Sequence, residues 1–153
     1  MRIEYLADHP ELILELARLH QEQWGYLRPD KSPEQRTMQL REACGRGGVP
    51  TVVVALEDGA LCGSAMLIAS DMDARSELTP WLAGVYVVEA CRGRGYGSAL
   101  VRRVESEASA AGVPLLHLYS PDAAGFYSRL GWTVEERCEY LGREVVVMSK
   151  PCG

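Results

Sequence analysis

Apolar residues recur along this chain with two periods, and the changes of period mark out its elements. Ile3 to Ala7 is β-rich and reads as a first strand. Pro10 then suits the first turn of a helix whose apolar positions, Ile13, Leu16, Ala17, His20 and Trp24, recur at helical spacing. Ser32, Pro33 and Gln35 form a capping box that starts a second helix, and Gly45, Gly47 and Gly48 end it. Thr51 to Leu56 and Leu61 to Ala69 are β-rich runs joined through the hairpin signal Asp58-Gly59, and a longer strand follows from Trp81 to Val88. From Ser98 to Ala111 the period returns to helical. Val101, Val104, Ala108 and Ala111 share a face, Arg103 and Glu107 pair at i,i+4, and Gly112 stops the helix. Leu115 to Tyr119, Trp132 to Glu139 and Glu144 to Met148 complete the strands, with a helix from Ala123 to Leu130 between the first two.

These elements imply an α/β (α+β) fold, with a mixed central sheet of about six to seven strands and helices on both sides. At 153 residues and 47% hydrophobic composition, the chain matches one domain spanning residues 1–153, without repeat, linker or low-complexity tract. Ser70 to Thr79, carrying Asp71, Asp73, Arg75 and Glu77, is the one polar loop between strands, the kind of place where substrate contacts collect.

The net charge of −5 argues against nucleic acid or an anionic membrane as partner and favours a basic or amine-bearing substrate. The five cysteines, Cys44, Cys62, Cys91, Cys138 and Cys152, are odd in number and contain no Cys-x-x-Cys pair. Neither a metal knuckle nor a disulfide framework is suggested, and a reducing cytoplasm is expected. The start Met1-Arg2-Ile3-Glu4-Tyr5 brings acid too early for a signal peptide, and no apolar run approaches the ~20 residues that span a bilayer.

The richest chemical signal is Arg92-Gly93-Arg94-Gly95-Tyr96-Gly97, set between a strand and a helix. A strand turning through glycines into a helix aims unpaired N–H groups and the positive end of the helix dipole at one point, which suits a polyphosphate. Arg92 and Arg94 add full charges, and charge-assisted hydrogen bonds of roughly 1.5–3 kcal/mol outweigh the ~0.3–1 kcal/mol of an exposed helix dipole. A dinucleotide fingerprint would need a third glycine at Ser98 and an acid near the apolar run Val113 to Leu116. A triphosphate loop would need Lys-Ser/Thr after Gly97, where Ser98-Ala99 stands.

The spacing Arg92-x-x-Gly95-x-Gly97, preceded by Val85-Tyr86-Val87 and followed by Ala123-x-x-Phe126-Tyr127-x-x-x-Gly131-Trp132, resembles the GNAT superfamily of N-acetyltransferases over roughly residues 81–133. Two departures are visible: Glu89 replaces a common proline after the strand, and Ser120 a common asparagine before the second motif. The resemblance implies acetyl-CoA as acyl donor and no metal. Its pyrophosphate would lie on the amides of Arg92, Gly93, Arg94, Gly95, Tyr96, Gly97 and Ser98. Its pantetheine arm would lie along Val85, Val87 and Val88, beside Phe126.

Attack of a neutral amine on a thioester needs an oxyanion donor, an acid at the leaving sulfur and a base for the amine proton. By resemblance, the donor is the backbone N–H of Val87 and the acid is Tyr127. A tyrosine of pKa ~10 facing a thiol of ~8.5 would give up its proton uphill by about 2 kcal/mol, so Tyr127 is expected mainly to hydrogen-bond the sulfur. Asp71, Glu77, Glu22 and Glu89 are all open as bases. Trp24, Tyr26 and Trp81 are candidate walls for the acceptor. His9, His20 and His117 read as structural.

The resemblance implies transfer of acetyl to a primary amine by direct attack, in a cytoplasmic enzyme. The implied partners are an amine-bearing small molecule or peptide N-terminus and, at most, a second copy as a homodimer. The rival reading is a non-catalytic acyl-CoA-binding module of the same fold.

Overall fold

A computed structural model describes residues 1–152. Seven strands form one sheet in the order β1-β2-β3-β4-β5-β7-β6. The strands are β1 Arg2–Tyr5, β2 Thr51–Glu57, β3 Ala60–Ile68, β4 Trp81–Val87, β5 Leu115–Ser120, β6 Thr133–Tyr140 and β7 Arg143–Pro151. The α-helices among the described residues are α1 Ile13–Trp24, α2 Pro33–Glu42, α3 Tyr96–Ala110 and α4 Ala124–Arg129. Every neighbouring pair is antiparallel except β4 and β5, which makes the sheet mixed, as the pattern of elements implied.

Strand β2 shows why its sequence reads as an unbroken apolar run. Val53 and Ala55 pack towards Leu100, Val101 and Val104 of α3, while Val52, Val54 and Leu56 pack towards Ile13, Leu16 and Ala17 of α1 and Leu40 of α2. Both faces are covered, so alternation disappears. Each valine, leucine or isoleucine among them contributes about 1.5–3 kcal/mol on burial. The Ser32–Gln35 capping box forms as expected, with the Gln35 N–H donating to Ser32 Oγ at 3.1 Å and the Ser32 N–H to Gln35 Oε1 at 2.8 Å.

Several boundaries move for identifiable reasons. Strand β1 ends at Tyr5, because Leu6–Asp8 turns to bury Leu6 completely under α1. Helix α3 begins at Tyr96 instead of Ser98, because Gly95 takes a left-handed conformation at φ 83° and starts the helix inside the glycine loop. Strand β7 runs longer than its apolar core because it pairs with both β5 and β6.

The polar loop after β3 is more structural than its composition suggests. Met72 is fully buried and Leu78 packs beside it, against Trp81, Tyr140, Val145 and Val147. The Asp73 N–H donates to Tyr140 Oη at 3.2 Å, and Arg75 grips Glu136 through two nitrogens at 2.5 and 3.0 Å. The loop thus covers the part of the sheet opposite α3 and α4.

Two features of β4 position the site. It pairs with β5 at a single register position, Trp81 with His117, and beyond it the strands part. Against β3, its register shifts from Ser64–Tyr86 to Met66–Ala83, leaving Gly84 and Val85 opposite Ala65 as a bulge. Gly84 has φ 59°, and a Cβ there would stand 2.7 Å from Met66 Sδ. Ser64 Oγ donates to the Gly84 carbonyl at 2.8 Å and lies 2.9 Å from His20 Nε2. With the Ser64 proton committed to the carbonyl, His20 donates through Nε2–H, and burial lowers its pKa to about 3, which keeps the ring neutral.

Candidate functional site

The N-terminus of α3 opens into a groove of about 560 Å³. Its first intrahelical bond runs from the Ala99 N–H to the Gly95 carbonyl, and the N–H groups of Gly93 to Ser98 donate to no acceptor among the described residues. No acidic residue occupies the first turn of α3. Gly93 and Gly95 have φ 80° and 83°, and a Cβ on either would point into open space. The result is a concave run of amides with an unopposed helix dipole, a site shaped for a phosphate.

The arginines of this loop divide. Arg92 stands at the groove, with Nε donating to the Val87 carbonyl at 2.9 Å and its guanidinium 5.9 Å from the Tyr86 ring. Arg94 turns away, paired with Glu57 at 3.1 Å between exposed side chains, and Tyr96 Oη donates to the same carboxylate at 2.5 Å. Arg94 therefore brings no charge to the groove, and the buried Tyr96 contributes its backbone only. Val88 also lies outside: its N–H is spent on the Cys62 carbonyl at 2.8 Å. By strand alternation, the N–H and C=O of Val87 point the other way, into the opening between β4 and β5. Val85, Gly97, Ser98 and Phe126 line the groove as expected, and a Cβ on Gly97 would stand 3.4 Å from the Phe126 ring.

A second cavity of about 290 Å³ lies between α1, α2 and the parted strands. It meets the groove at Val85, Ala123 and Tyr127, which line both. Ser120 Oγ accepts from the Ala123 N–H at 2.9 Å, so this residue, in place of the more usual asparagine, fixes the entry to α4 and thereby Tyr127. Tyr127 is 8% exposed, packed edge-on against Phe126, and its hydroxyl has no protein partner among the described residues. Burial pushes its pKa up to about 12, so the phenol stays a donor at neutral pH.

His20 and Trp24 line the cavity with tilted rings 4.9 Å apart, and Tyr86, outside the lining, meets both edge-on at 6.2 and 6.0 Å. Trp24 and Tyr26 line it as expected. Asp71 does too: half-buried on the cavity wall, it has its pKa raised by desolvation to about 7 against the pull of Lys31 and Arg28. The other substrate candidates lie elsewhere. Trp81 is fully buried in the core, with Nε1–H donating to the Leu78 carbonyl at 2.7 Å. Glu77 lines a separate depression with Arg75 and His117. Glu22 pairs with Arg18 on an exposed helix face, and Glu89 sits in the exposed turn before the loop.

The residues that sequence reasoning missed are cations. Arg28, Lys31 and Arg36 all line the cavity. Arg28 is held by Asp30 at 2.9 and 3.0 Å. Arg36 donates from Nε to Gln21 Oε1 at 2.6 Å, but its buried Nη2 has no acceptor, a state that costs about 1–3 kcal/mol or more for a charged donor. The Lys31 ammonium has neither hydrogen bond nor ion pair among the described residues, and burial lowers its pKa. The only signal in the sequence was three cations close together in an acidic chain, which ordinarily reads as a solvated surface.

Glu57, Cys62 and Cys91 place a carboxylate and two thiols within 4.8 Å of one another. The carboxylate is engaged by Tyr96 and Arg94, Cys91 Sγ donates to Cys62 Sγ at 2.9 Å, and burial raises the Cys62 pKa, which favours a protonated pair over thiolate ligands. No helix among the described residues is long and apolar enough to cross a membrane.

No curated protein matches the sequence significantly. Among solved structures, an aminoglycoside 6'-N-acetyltransferase complexed with coenzyme A superposes with a TM-score of 0.78 at 17% identity, covering 99% of this chain and 97% of its own. The aminoglycoside 6'-N-acetyltransferase from Enterococcus faecium gives 0.77 at 17% identity, with the same coverage. YncA from Salmonella typhimurium, solved with its cofactor acetyl-CoA, gives 0.71 at 21% identity and covers 100% of this chain and 94% of its own. These likenesses are of fold. The sequence profile of the acetyltransferase (GNAT) domain matches residues 49–134, more than half of the chain and all of the glycine loop, and the chain therefore belongs to the GNAT family of acetyltransferases.

Proposed function

We propose that this protein transfers an acetyl group from acetyl-CoA to the primary amine of a small acceptor by direct attack. The observation that carries the proposal is the meeting of an amide-lined anion groove and an aromatic cavity at Val85, Ala123 and Tyr127. Donor and acceptor entering from opposite sides of the parted β4 and β5 would bring their reacting ends together there. The coenzyme A and acetyl-CoA in the structures of similar fold support the same donor.

The residues present fit such a donor. The unpaired amides of residues 93–98 and the free nitrogens of Arg92 suit a pyrophosphate, and the groove beside Phe126 and Val87 suits an uncharged arm. Acetyl-CoA supplies an activated thioester, and the protein's own groups do the rest. The Val87 N–H, unspent on β3, is available to a carbonyl oxygen in the opening. The Tyr127 hydroxyl, neutral and without a protein partner, donates a hydrogen bond to sulfur. Its raised pKa makes outright proton donation costlier than the ~2 kcal/mol of an unperturbed tyrosine, so hydrogen bonding is its role.

Asp71 takes the amine proton, directly or through water. A base with pKa near 7 is matched to a neutral working pH, and an α-amine of pKa ~8 costs only ~1.4 kcal/mol to deprotonate at pH 7. Thiol release from acetyl-CoA with a panel of primary amines, beside calorimetric titration of coenzyme A, tests the proposal. Turnover with an amine is the expected result. Binding of coenzyme A without turnover of any amine, with Tyr127→Phe changing nothing, would leave only a binding module.

A further inference from the structure

The acidic chain suggests a basic acceptor, but the cavity does not follow the chain's overall sign. Three cations and two acids, Asp71 and Asp122, line it, in a protein whose net charge is −5. The cations gather where α1 leads into α2, and only Arg28 has a carboxylate partner. Arg36 presents a buried Nη2 with no acceptor, and Lys31 an ammonium with no partner among the described residues. Arg28 repels both, more strongly than Asp71 attracts Lys31 or Asp30 attracts either, and Arg36 also repels Lys31. Such a cluster, two of its three members without a hydrogen-bonded carboxylate, is a receptor for an anion.

We infer that the acceptor is an α-amino acid or close analogue, whose carboxylate is received by Lys31 and Arg36 while its amine turns towards Asp71 and Tyr127. The inference rests on the transferase reading and names the substrate class of that same site. Three further observations agree with it. The volume of about 290 Å³ suits a small molecule. Asp71 lies close enough to Lys31 and Arg28 to feel their charge, so base and cations demand an amine and a carboxylate near each other. Trp24, Leu118 and Tyr119 offer apolar wall to a side chain. A polycation such as an aminoglycoside would bring like charge to Lys31 and Arg36 and leave Nη2 unsatisfied.

The test compares thiol release for a panel of L-α-amino acids with release for their own C-terminal amides and for kanamycin, on the wild-type protein, Arg36→Met and Lys31→Met. The amide's amine is the weaker base, so more of it is neutral at a given pH and chemistry alone favours the amide. The inference expects the opposite: kcat/KM for the best acid about tenfold or more above that of its amide, as one or two charge-assisted hydrogen bonds imply. In either variant the ratio should fall to within about threefold, through KM for the acid, while turnover of the amide persists. Lys31→Met guards against misfolding, because that side chain has no intramolecular partner to lose. Equal use of acid and amide, a preference for kanamycin, or an unchanged ratio in both variants would overturn this inference and leave the transferase standing. No release with any amine, despite coenzyme A binding, would overturn the transferase reading as well.

Discussion

At the residue scale, Tyr127 and Asp71 carry separable expectations. Tyr127→Phe removes a hydroxyl that holds no hydrogen bond to the protein among the described residues, so stability should move by no more than about 0.5 kcal/mol. Its kcat should fall roughly 10- to 100-fold with the KM for acetyl-CoA little changed, at the low end of general-acid effects because hydrogen bonding, not proton transfer, is lost. Steady-state kinetics beside a thermal melt separates these outcomes, and an unchanged kcat removes Tyr127 from the chemistry. Because its pKa lies at about 12, Tyr127 should put no alkaline limb on the rate below pH ~10. Asp71 should put an acid limb near pH 7, since the base works only when deprotonated. In Asp71→Asn the rate should drop and the limb near pH 7 should vanish from the kcat/KM profile, leaving the limb of the amine's own ionisation near its pKa of ~8. A limb that stays at pH 7 after the substitution, whichever amine is used, assigns the base to another group.

At the scale of elements, the glycine loop and α3 work as one unit. Gly95→Ala should cost about 1–2 kcal/mol of stability, because its φ of 83° lies in the left-handed region while the space around its Cβ is open. Open space there is the groove mouth, so coenzyme A affinity measured by calorimetry should fall by about tenfold or more, as the new methyl holds a phosphate off the amides. Arg94→Ala should leave that affinity within about twofold, since its guanidinium is paired with Glu57 on the exterior, whereas Arg92→Ala should weaken it. Equal losses for the two arginines would reverse their assignment. The loop itself was legible because glycine positions and a strand-to-helix switch are local signals. The fate of Arg94 was not, because Glu57 lies 37 residues away in the sequence and meets it only once β2 pairs with β3 and β3 with β4. The same holds for Trp81: a strand-initial tryptophan reads equally as pocket wall or core, and only the loop that buries Met72 decides for core.

At the scale of the molecule, the order of elements and the mixed sheet follow from apolar periodicity, but the charge inside the acceptor cavity does not follow from net charge. Its cations come from the turn and helix beyond α1, its acids from the loops after β3 and β5, and folding sets them against one another. Two groups of this cavity then oppose each other in the stability of the whole fold. His20 has a folded pKa of about 3 against 6.5 unfolded, so between those values the unfolded chain holds the extra proton and stability rises with pH, by at most about 1.4 kcal/mol per unit. Asp71 has a folded pKa of about 7 against 3.8, so there the folded protein holds the extra proton and stability falls as pH rises. The windows overlap between 3.8 and 6.5, where the slopes cancel in part and the wild-type curve should be shallow. Asp71→Asn should expose the His20 slope, giving a melting temperature that climbs from pH 4 to 6.5 more steeply than wild type. His20→Gln should expose the Asp71 slope and flatten or invert the curve, on top of a uniform loss from breaking the link through Ser64 to Gly84. Melting curves of the three proteins across this range are decisive, because parallel curves would mean that neither group titrates in the window that its burial dictates.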